Sequence, residues 1–231
     1  MKTRRLGKSA IAVSDICMGT MMFGSFADEK MSLRILDQSF DAGINFFDAA
    51  ENYPVPPSDE YAGLTEEIVG KWLKTKNRDA VILATKVCGP SHGWLRANQR
   101  AGMTALDRHN INRAIESSLK RLGTDYIDLY QFHDNGFPAD KAEPVRETLE
   151  ELVKEGKLRA YGWSTDFADR AEVFAQGKNC TSIQLQLNVL DNNTEVIALC
   201  EKYNLAAINR GPLAMGLLSG KYTASSKPSI D

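Results

Sequence analysis

GINFFDAAENYP, residues 43–54, holds the junction from which the fold can be read. Gly43 stands where a helix ends, because a residue without Cβ adopts the left-handed turn that closes a helix. The short apolar run over 44–48 then reads as a strand that finishes on Asp48. A proline-rich loop, YPVPPSDEYAG (residues 53–63), leads to a predicted helix over 65–74, with Thr65 placed to cap its first turn.

Moving outward from this junction, the same strand-helix unit recurs. A run over 15–19 precedes an amphipathic helix over 31–42 that carries Leu33, Leu36 and Phe40. Downstream come a strand over 81–86, a polar loop (Gly89 to Leu106), a helix over 107–122 and a strand over 126–133. Pro144 marks the first turn of a helix running to Glu155. Strands over 158–164, 182–187 and 206–209 alternate with helices over 166–177 and 194–203. Strands alternating with helices define an α/β protein with a parallel sheet.

Seven such strands, all but the last followed by a helix, predict a (β/α)8 TIM barrel, a fold that takes about 250 residues. The eighth βα unit and its loop are expected to be missing from this sequence, since residues 210–231 are rich in Gly, Ser and Pro and carry no helical period. An open doubly wound sheet would bring a phosphate fingerprint. GTMMFGS (residues 19–25) lacks the lysine of a Walker A loop, and no G-x-G-x-x-G follows a strand. Residues 1–231 therefore read as a single barrel domain, with residues 1–13 forming a small hairpin that plugs the bottom.

Composition narrows the partners. Of 231 residues, 43% are hydrophobic and 25% charged, as in an ordinary folded domain. A formal net charge of -2 offers no basic face for nucleic acid or an anionic membrane. Cys17, Cys88, Cys180 and Cys200 are far apart, with no C-x-x-C pair, so neither a metal site nor a disulfide framework is expected. The N-terminus lacks the apolar run of a signal peptide and no stretch reaches the length of a membrane span, which makes a cytoplasmic location the expectation. The oligomeric state is left open.

Three consecutive strands end on an ionisable residue. Along a barrel strand alternate side chains point inward, and reacting groups gather at the C-terminal ends. Asp48 shares parity with Phe46, Lys86 with Ile82 and Ala84, and His133 with Ile127 and Leu129, so all three are expected at the barrel mouth. Tyr53 follows a few residues past Asp48. Taken singly, such an aspartate caps a turn, such a lysine is solvated and such a histidine is a satisfied polar residue. Their joint arrival on neighbouring strands points to a site.

The residue types specify its chemistry. A free tyrosine has a pKa of about 10, and a nearby ammonium such as Lys86 lowers it by stabilising the phenolate. Asp48 would hold Lys86 in place, while His133 would polarise a carbonyl oxygen by donating a hydrogen bond. No serine sits on a G-x-S-x-G turn and no cysteine has a partnered histidine. The set fits protonation of an oxygen becoming an alkoxide, and a hydride would have to come from a cofactor.

GINFFDAAENYP (residues 43–54), LATKVCGP (83–90) and LGTDYIDLYQFH (122–133) resemble, in order, the segments that carry the catalytic tetrad of the aldo-keto reductases. The likeness runs from Arg5 to Tyr222. It implies an NAD(P)H-dependent reductase of aldehydes or ketones on an eight-stranded barrel without a Rossmann motif. Tyr53 would be the general acid, Lys86 and Asp48 its tuning pair and His133 the carbonyl-orienting residue. NADP(H) is the expected cofactor, with NAD(H) the other option, and a small-molecule carbonyl compound the substrate.

The resemblance also places cofactor contacts. Gly19 and Thr20 match a Gly-Thr after the first strand, and Asp48 would reach the nicotinamide ribose. Ser164 and Gln184 match residues that hold the carboxamide. GPLAMGLLSGKY (residues 211–222) resembles the loop that wraps the pyrophosphate, with backbone at Gly211, Leu213 and Gly216 approaching it. Two positions depart from the family pattern: Thr165 stands where Asn is usual, and Arg210 where an aromatic residue stacks on the nicotinamide. A cation beside a ring that becomes positive on oxidation is expected to favour the reduced cofactor.

Weaker features complete the reading. The loop Gly89 to Leu106, with His92, Trp94, Arg96 and Arg100, reads equally as a substrate lid or a surface excursion. Cys88 is expected to be a buried packing residue rather than an oxidation-sensitive thiol, and Trp163 to face the helices. The main alternative function is a reductase-like cofactor-binding regulatory module with little turnover, as in potassium-channel β subunits. A second is an aldolase or isomerase using Lys86 as a Schiff-base amine.

Overall fold

The structure is a computed structural model that describes residues 1–58, 60–88, 106–223 and 225–226. Strands β1 (Thr3–Arg5) and β2 (Ala12–Ser14) form an antiparallel hairpin. Among the described residues seven further strands follow: β3 (Cys17–Gly19), β4 (Phe46–Asp48), β5 (Ile82–Val87), β6 (Ile127–Phe132), β7 (Leu158–Ser164), β8 (Cys180–Gln186) and β9 (Ala206–Arg210). They lie side by side in sequence order, every neighbouring pair parallel. That sequential order is the wall of a (β/α)8 barrel with seven of its strands in place. Among the described residues no eighth strand joins β9 to β3.

Among the described residues six α-helices cross between strands: α1 (Glu29–Asp41), α2 (Leu64–Leu73), α3 (Arg108–Leu122), α4 (Glu143–Lys154), α5 (Ala168–Ala175) and α6 (Thr194–Tyr203). Helix α1 starts two residues before the predicted boundary because the Asp28 carboxylate accepts from the Met31 N–H at 2.7 Å. It ends as read. Gly43 has a φ of 90°, its N–H bonds Phe40 O, and the Ile44 N–H bonds Ser39 O, which closes a Schellman motif.

Helix α2 does not start as expected. Gly63, at a φ of 89°, is its N-cap and offers no capping side chain. Thr65 lies inside the helix, wholly buried, and donates its hydroxyl to Phe23 O at 2.7 Å, so a tertiary contact takes the group that was read as a cap. Pro144 sits in the first turn of α4 as predicted. Helix α5 begins at Ala168 instead of Asp166, whose carboxylate is engaged elsewhere. Beyond β9 a 3-10 segment, Ala214–Ser219, adds local structure to a stretch read as irregular.

Two cores follow from strand parity. The outer one packs Phe47, Leu83, Tyr130, Phe132, Trp163 and Ile183 against the helices. Trp163 is fully buried there among Phe132 and Phe174, as its parity required. The inner one joins Phe46, Ile82, Ala84, Leu129, Ala160 and Ile208 to Leu6, Ile11 and Val13 of the hairpin, which is thus the predicted plug. Ile127, expected inward with Leu129, belongs to the outer cluster. Gly7 makes the plug's closeness to the wall feasible: its φ is +56°, and a Cβ would stand 2.2 Å from Thr181 O.

Candidate active site

The mouth is assembled by backbone contacts between successive strand ends. Past β4, the Ala49 N–H bonds Ala84 O and the Glu51 N–H bonds Lys86 O, so the segment after Asp48 continues along β5. The Glu51 carboxylate then accepts from the Cys88 N–H at 2.7 Å. This lacing fixes where Tyr53 emerges. His133, one residue past β6, is tied back by its N–H to Val87 O at 2.8 Å.

Those contacts bring the four predicted catalytic residues together. Lys86 is fully buried, and its Nζ donates to Asp48 Oδ2 at 2.6 Å, to Ala49 O at 2.8 Å and to the Tyr53 hydroxyl at 3.3 Å. The Tyr53 and His133 rings meet edge to face with centroids 5.8 Å apart. Asp48 also accepts from Gln131 Nε2 at 2.9 Å and Gln184 Nε2 at 3.3 Å. Three donors thus orient one carboxylate, which in turn fixes the ammonium beneath the phenol.

The electrostatics refine the expectation for Tyr53. Burial pushes its phenol above the ordinary tyrosine value, the Lys86 charge opposes that shift, and Asp48 adds to it. The net direction is upward, opposite to the lowering expected from Lys86 alone. Lys86 itself loses solvation on burial, which would lower its pKa, but Asp48 and Tyr53 outweigh that and hold it above the usual lysine value. Burial drives His133 well below the ordinary histidine range, with Lys86 and Arg210 adding to the effect. A neutral imidazole beside a fixed ammonium is a hydrogen-bond donor, not a second cation.

The predicted cofactor residues line the ends of β3, β7, β8 and β9. Thr20 is buried and its hydroxyl donates to Asp48 O at 2.9 Å, while a Cβ on Gly19 would meet nothing within 4 Å, leaving the backbone open to approach. Ser164 Oγ donates to Gln184 Oε1 at 3.2 Å, so Ser164, Gln184 and Asp48 form a chain of amide-compatible donors and acceptors. Thr165 is buried, with its N–H on Gln184 O and its hydroxyl accepting from Phe167 N–H at 3.3 Å. Gly211 has a φ of 68° and its carbonyl accepts from Asn188. Leu213 is exposed and Gly216 has a φ of 94° within the 3-10 segment. Side-chain amide groups, an open glycine backbone and a carboxylate at the mouth suit a nicotinamide nucleotide.

Arg210 ends β9 with its guanidinium bonded to the Asp166 carboxylate. The charge assigned to this position in the sequence therefore arrives with a counter-ion. Cys88 is buried and its thiol is pushed well up by burial and by Glu51, which removes the thiolate an oxidation-sensitive cysteine needs. The loop with His92, Trp94, Arg96 and Arg100 lies outside the described residues. Among the described residues no group of three or more His, Cys, Asp or Glu could hold a metal ion, and no helix is long and apolar enough to cross a membrane.

Three contributors escaped the sequence reading. Gln131 could have been found, since it shares inward parity with Leu129 and His133. Glu51 and Asp166 were not, because each acts through a loop contact with no periodicity behind it.

Comparison with known proteins agrees with this geometry. The model of the "Aldo/keto reductase family" matches residues 15–230. The uncharacterized oxidoreductase YqkF of Bacillus subtilis is 34% identical over 96% of this chain and 68% of its own length. The NADH-specific methylglyoxal reductase of Escherichia coli is 31% identical over 99% of this chain and 72% of its own. The solved structure of aldo-keto reductase AKR11C1 from Bacillus halodurans, in its holo form, superposes with a TM-score of 0.81 at 34% identity, covering 100% of this chain and 73% of that one. Strand order and relatives agree, and the chain belongs to the aldo/keto reductase family, whose enzymes reduce carbonyl compounds with a nicotinamide cofactor.

Proposed function

We propose that the chain reduces an aldehyde or ketone to an alcohol with NADPH as the expected cofactor, Tyr53 acting as general acid. The observation that carries this reading is the Lys86 ammonium within hydrogen-bond reach of both Asp48 and the Tyr53 hydroxyl. When bound, a reduced nicotinamide supplies the hydride. Ser164 and Gln184 would hold its carboxamide, Asp48 its ribose, and Gly211, Leu213 and Gly216 its phosphates.

The chain's own residues perform the proton half of the reaction. A neutral His133 donates a hydrogen bond to the substrate oxygen and orients it. Tyr53 gives its proton to the same oxygen as negative charge builds there, and Lys86 stabilises the phenolate left behind. Because burial keeps the phenol protonated, the acid is loaded throughout the neutral range.

The other two functions have less support. A Schiff-base role needs a neutral lysine, whereas Asp48 holds Lys86 as an ammonium. A non-catalytic module has no use for an aligned acid, and the two relatives from Bacillus subtilis and Escherichia coli are named as an oxidoreductase and a reductase. NADH in place of NADPH is favoured by one of them, named as NADH-specific. The test is oxidation of NADPH and NADH at 340 nm with nitrobenzaldehyde and methylglyoxal. Turnover that falls about 10²- to 10⁴-fold in Tyr53→Phe supports the reading. Cofactor binding without turnover on any carbonyl overturns it in favour of the module.

A further inference from the structure

We propose that Asp166 and Arg210 act as one unit that sets the relative affinity for reduced and oxidised nicotinamide, Asp166 fixing the guanidinium and offsetting its charge. The inference rests on the proposal that a nicotinamide binds at the ends of β7 to β9.

Asp166 follows Ser164 by two residues and joins four parts of the mouth. Its Oδ1 accepts from the Gln186 N–H at 2.7 Å, and its Oδ2 accepts from Arg210 Nη2 and, at 3.4 Å, from Asn135 Nδ2. Its own N–H donates to Asn135 Oδ1 at 2.9 Å, and its carbonyl accepts from Asn193 Nδ2 at 2.9 Å. Gln186 and Arg210 are register partners on β8 and β9, so the carboxylate closes the end of that strand pair. A group held by this many contacts is a fixed counter-ion.

Arg210 is close enough to the reacting groups for its charge to matter. It lowers the proton affinity of both Tyr53 and His133. Its side chain keeps 38% of its exposure and that of Asp166 25%, so the pair is open to solvent and to a ligand. The guanidinium Nε is buried with no hydrogen-bond partner among the described residues.

The physical consequence concerns charge. A nicotinamide ring gains a positive charge when its hydride leaves. An uncompensated cation within several ångströms would disfavour that product on the order of tenfold in a partly solvated cleft. Asp166 offsets part of the penalty while keeping the flat guanidinium in place, a surface suited to stacking on a ring.

The experiment is a fluorescence titration of the chain with NADPH and NADP⁺, and with NADH and NAD⁺, giving the ratio of oxidised to reduced dissociation constants. Asp166→Asn keeps an oxygen for the Gln186 N–H but leaves Arg210 uncompensated, and should raise the ratio about tenfold. Arg210→Met leaves the carboxylate alone and should lower it by a similar factor. The double variant should return near the starting ratio. A ratio within twofold of wild type in both single variants, or an equal loss for both redox forms, overturns the proposal and leaves the cofactor reading standing. If wild type binds none of the four nucleotides, both fall.

Discussion

The Lys86 ammonium and the Asp48 carboxylate stand 2.6 Å apart at the floor of the mouth, the lysine fully buried and the aspartate side chain 13% exposed. Removing either partner leaves a charge in a site built for two. Lys86→Met should therefore cost about 3–5 kcal/mol of folding stability, and Asp48→Asn a comparable amount. Lys86→Met with Asp48→Asn should cost clearly less than the sum, because no charge is then stranded. Urea unfolding of the four proteins measures the coupling. Additive losses would mean that the two charges are held independently.

Gly162 makes the approach of β7 to β8 feasible. A Cβ there would stand 2.4 Å from Ser182 O, and the register shifts between Tyr161 and Gly162. Gly162→Ala must push the strands apart, at about 1–3 kcal/mol. The displacement reaches Ser164, which pairs with Gln184 two positions on, so nicotinamide affinity should fall too. Gly19→Ala is the contrast, since its Cβ has open space and stability should be unchanged. Equal unfolding midpoints for wild type and Gly162→Ala would refute the packing argument.

Asp48, Lys86 and His133 were legible because two regularities act together, strand alternation sending them inward and barrel topology collecting strand ends, whereas the role of Tyr53 came from the family resemblance. The same logic separated Trp163 in the outer core from Leu129 in the inner one. What escaped depends on contacts between distant segments. Thr65 looked like a cap from its neighbours alone, yet its hydroxyl belongs to Phe23 O, 42 residues earlier. Asp166 looked like a helix start, and its carboxylate is instead shared between β8 and β9. The direction of the Tyr53 shift also needed three dimensions, because burial, which no linear pattern reports, outweighs the neighbouring ammonium.

At the opposite end of β6, Asp128 is a fully buried carboxylate that accepts from Arg78 at 2.8 Å, Arg159 at 2.6 Å and the Leu83 N–H at 2.9 Å. Asp128→Ala orphans a buried amide and strips Arg78 and Arg159 of their shared counter-ion, and should destabilise the fold by about 3–5 kcal/mol. Asp128→Asn, which keeps acceptor capacity for Leu83, should lose less. Because the cluster lies away from the mouth, cofactor dissociation constants measured well below the unfolding transition should match wild type. A changed nicotinamide affinity in Asp128→Asn would contradict this separation.

His133 should make stability depend on pH in the mildly acidic range. Its folded pKa is depressed by burial and by the charges of Lys86 and Arg210, whereas an unfolded histidine titrates at about 6.5. Between those two values the unfolded chain binds a proton that the folded chain refuses. The stability associated with neutral His133 is therefore complete above about pH 6.5 and is lost as the pH falls towards the folded pKa, by about 1.4 kcal/mol per pH unit. His133→Gln has no proton to take up, so its unfolding free energy should fall less steeply between pH 6.5 and 5. The comparison isolates His133 from the chain's other two histidines, which are unchanged in the variant. Denaturant curves at half-unit steps of pH measure the slopes. Parallel slopes for the two proteins would mean that His133 is protonated as readily in the folded chain as in the unfolded one, and would remove the case for a neutral imidazole beside Tyr53.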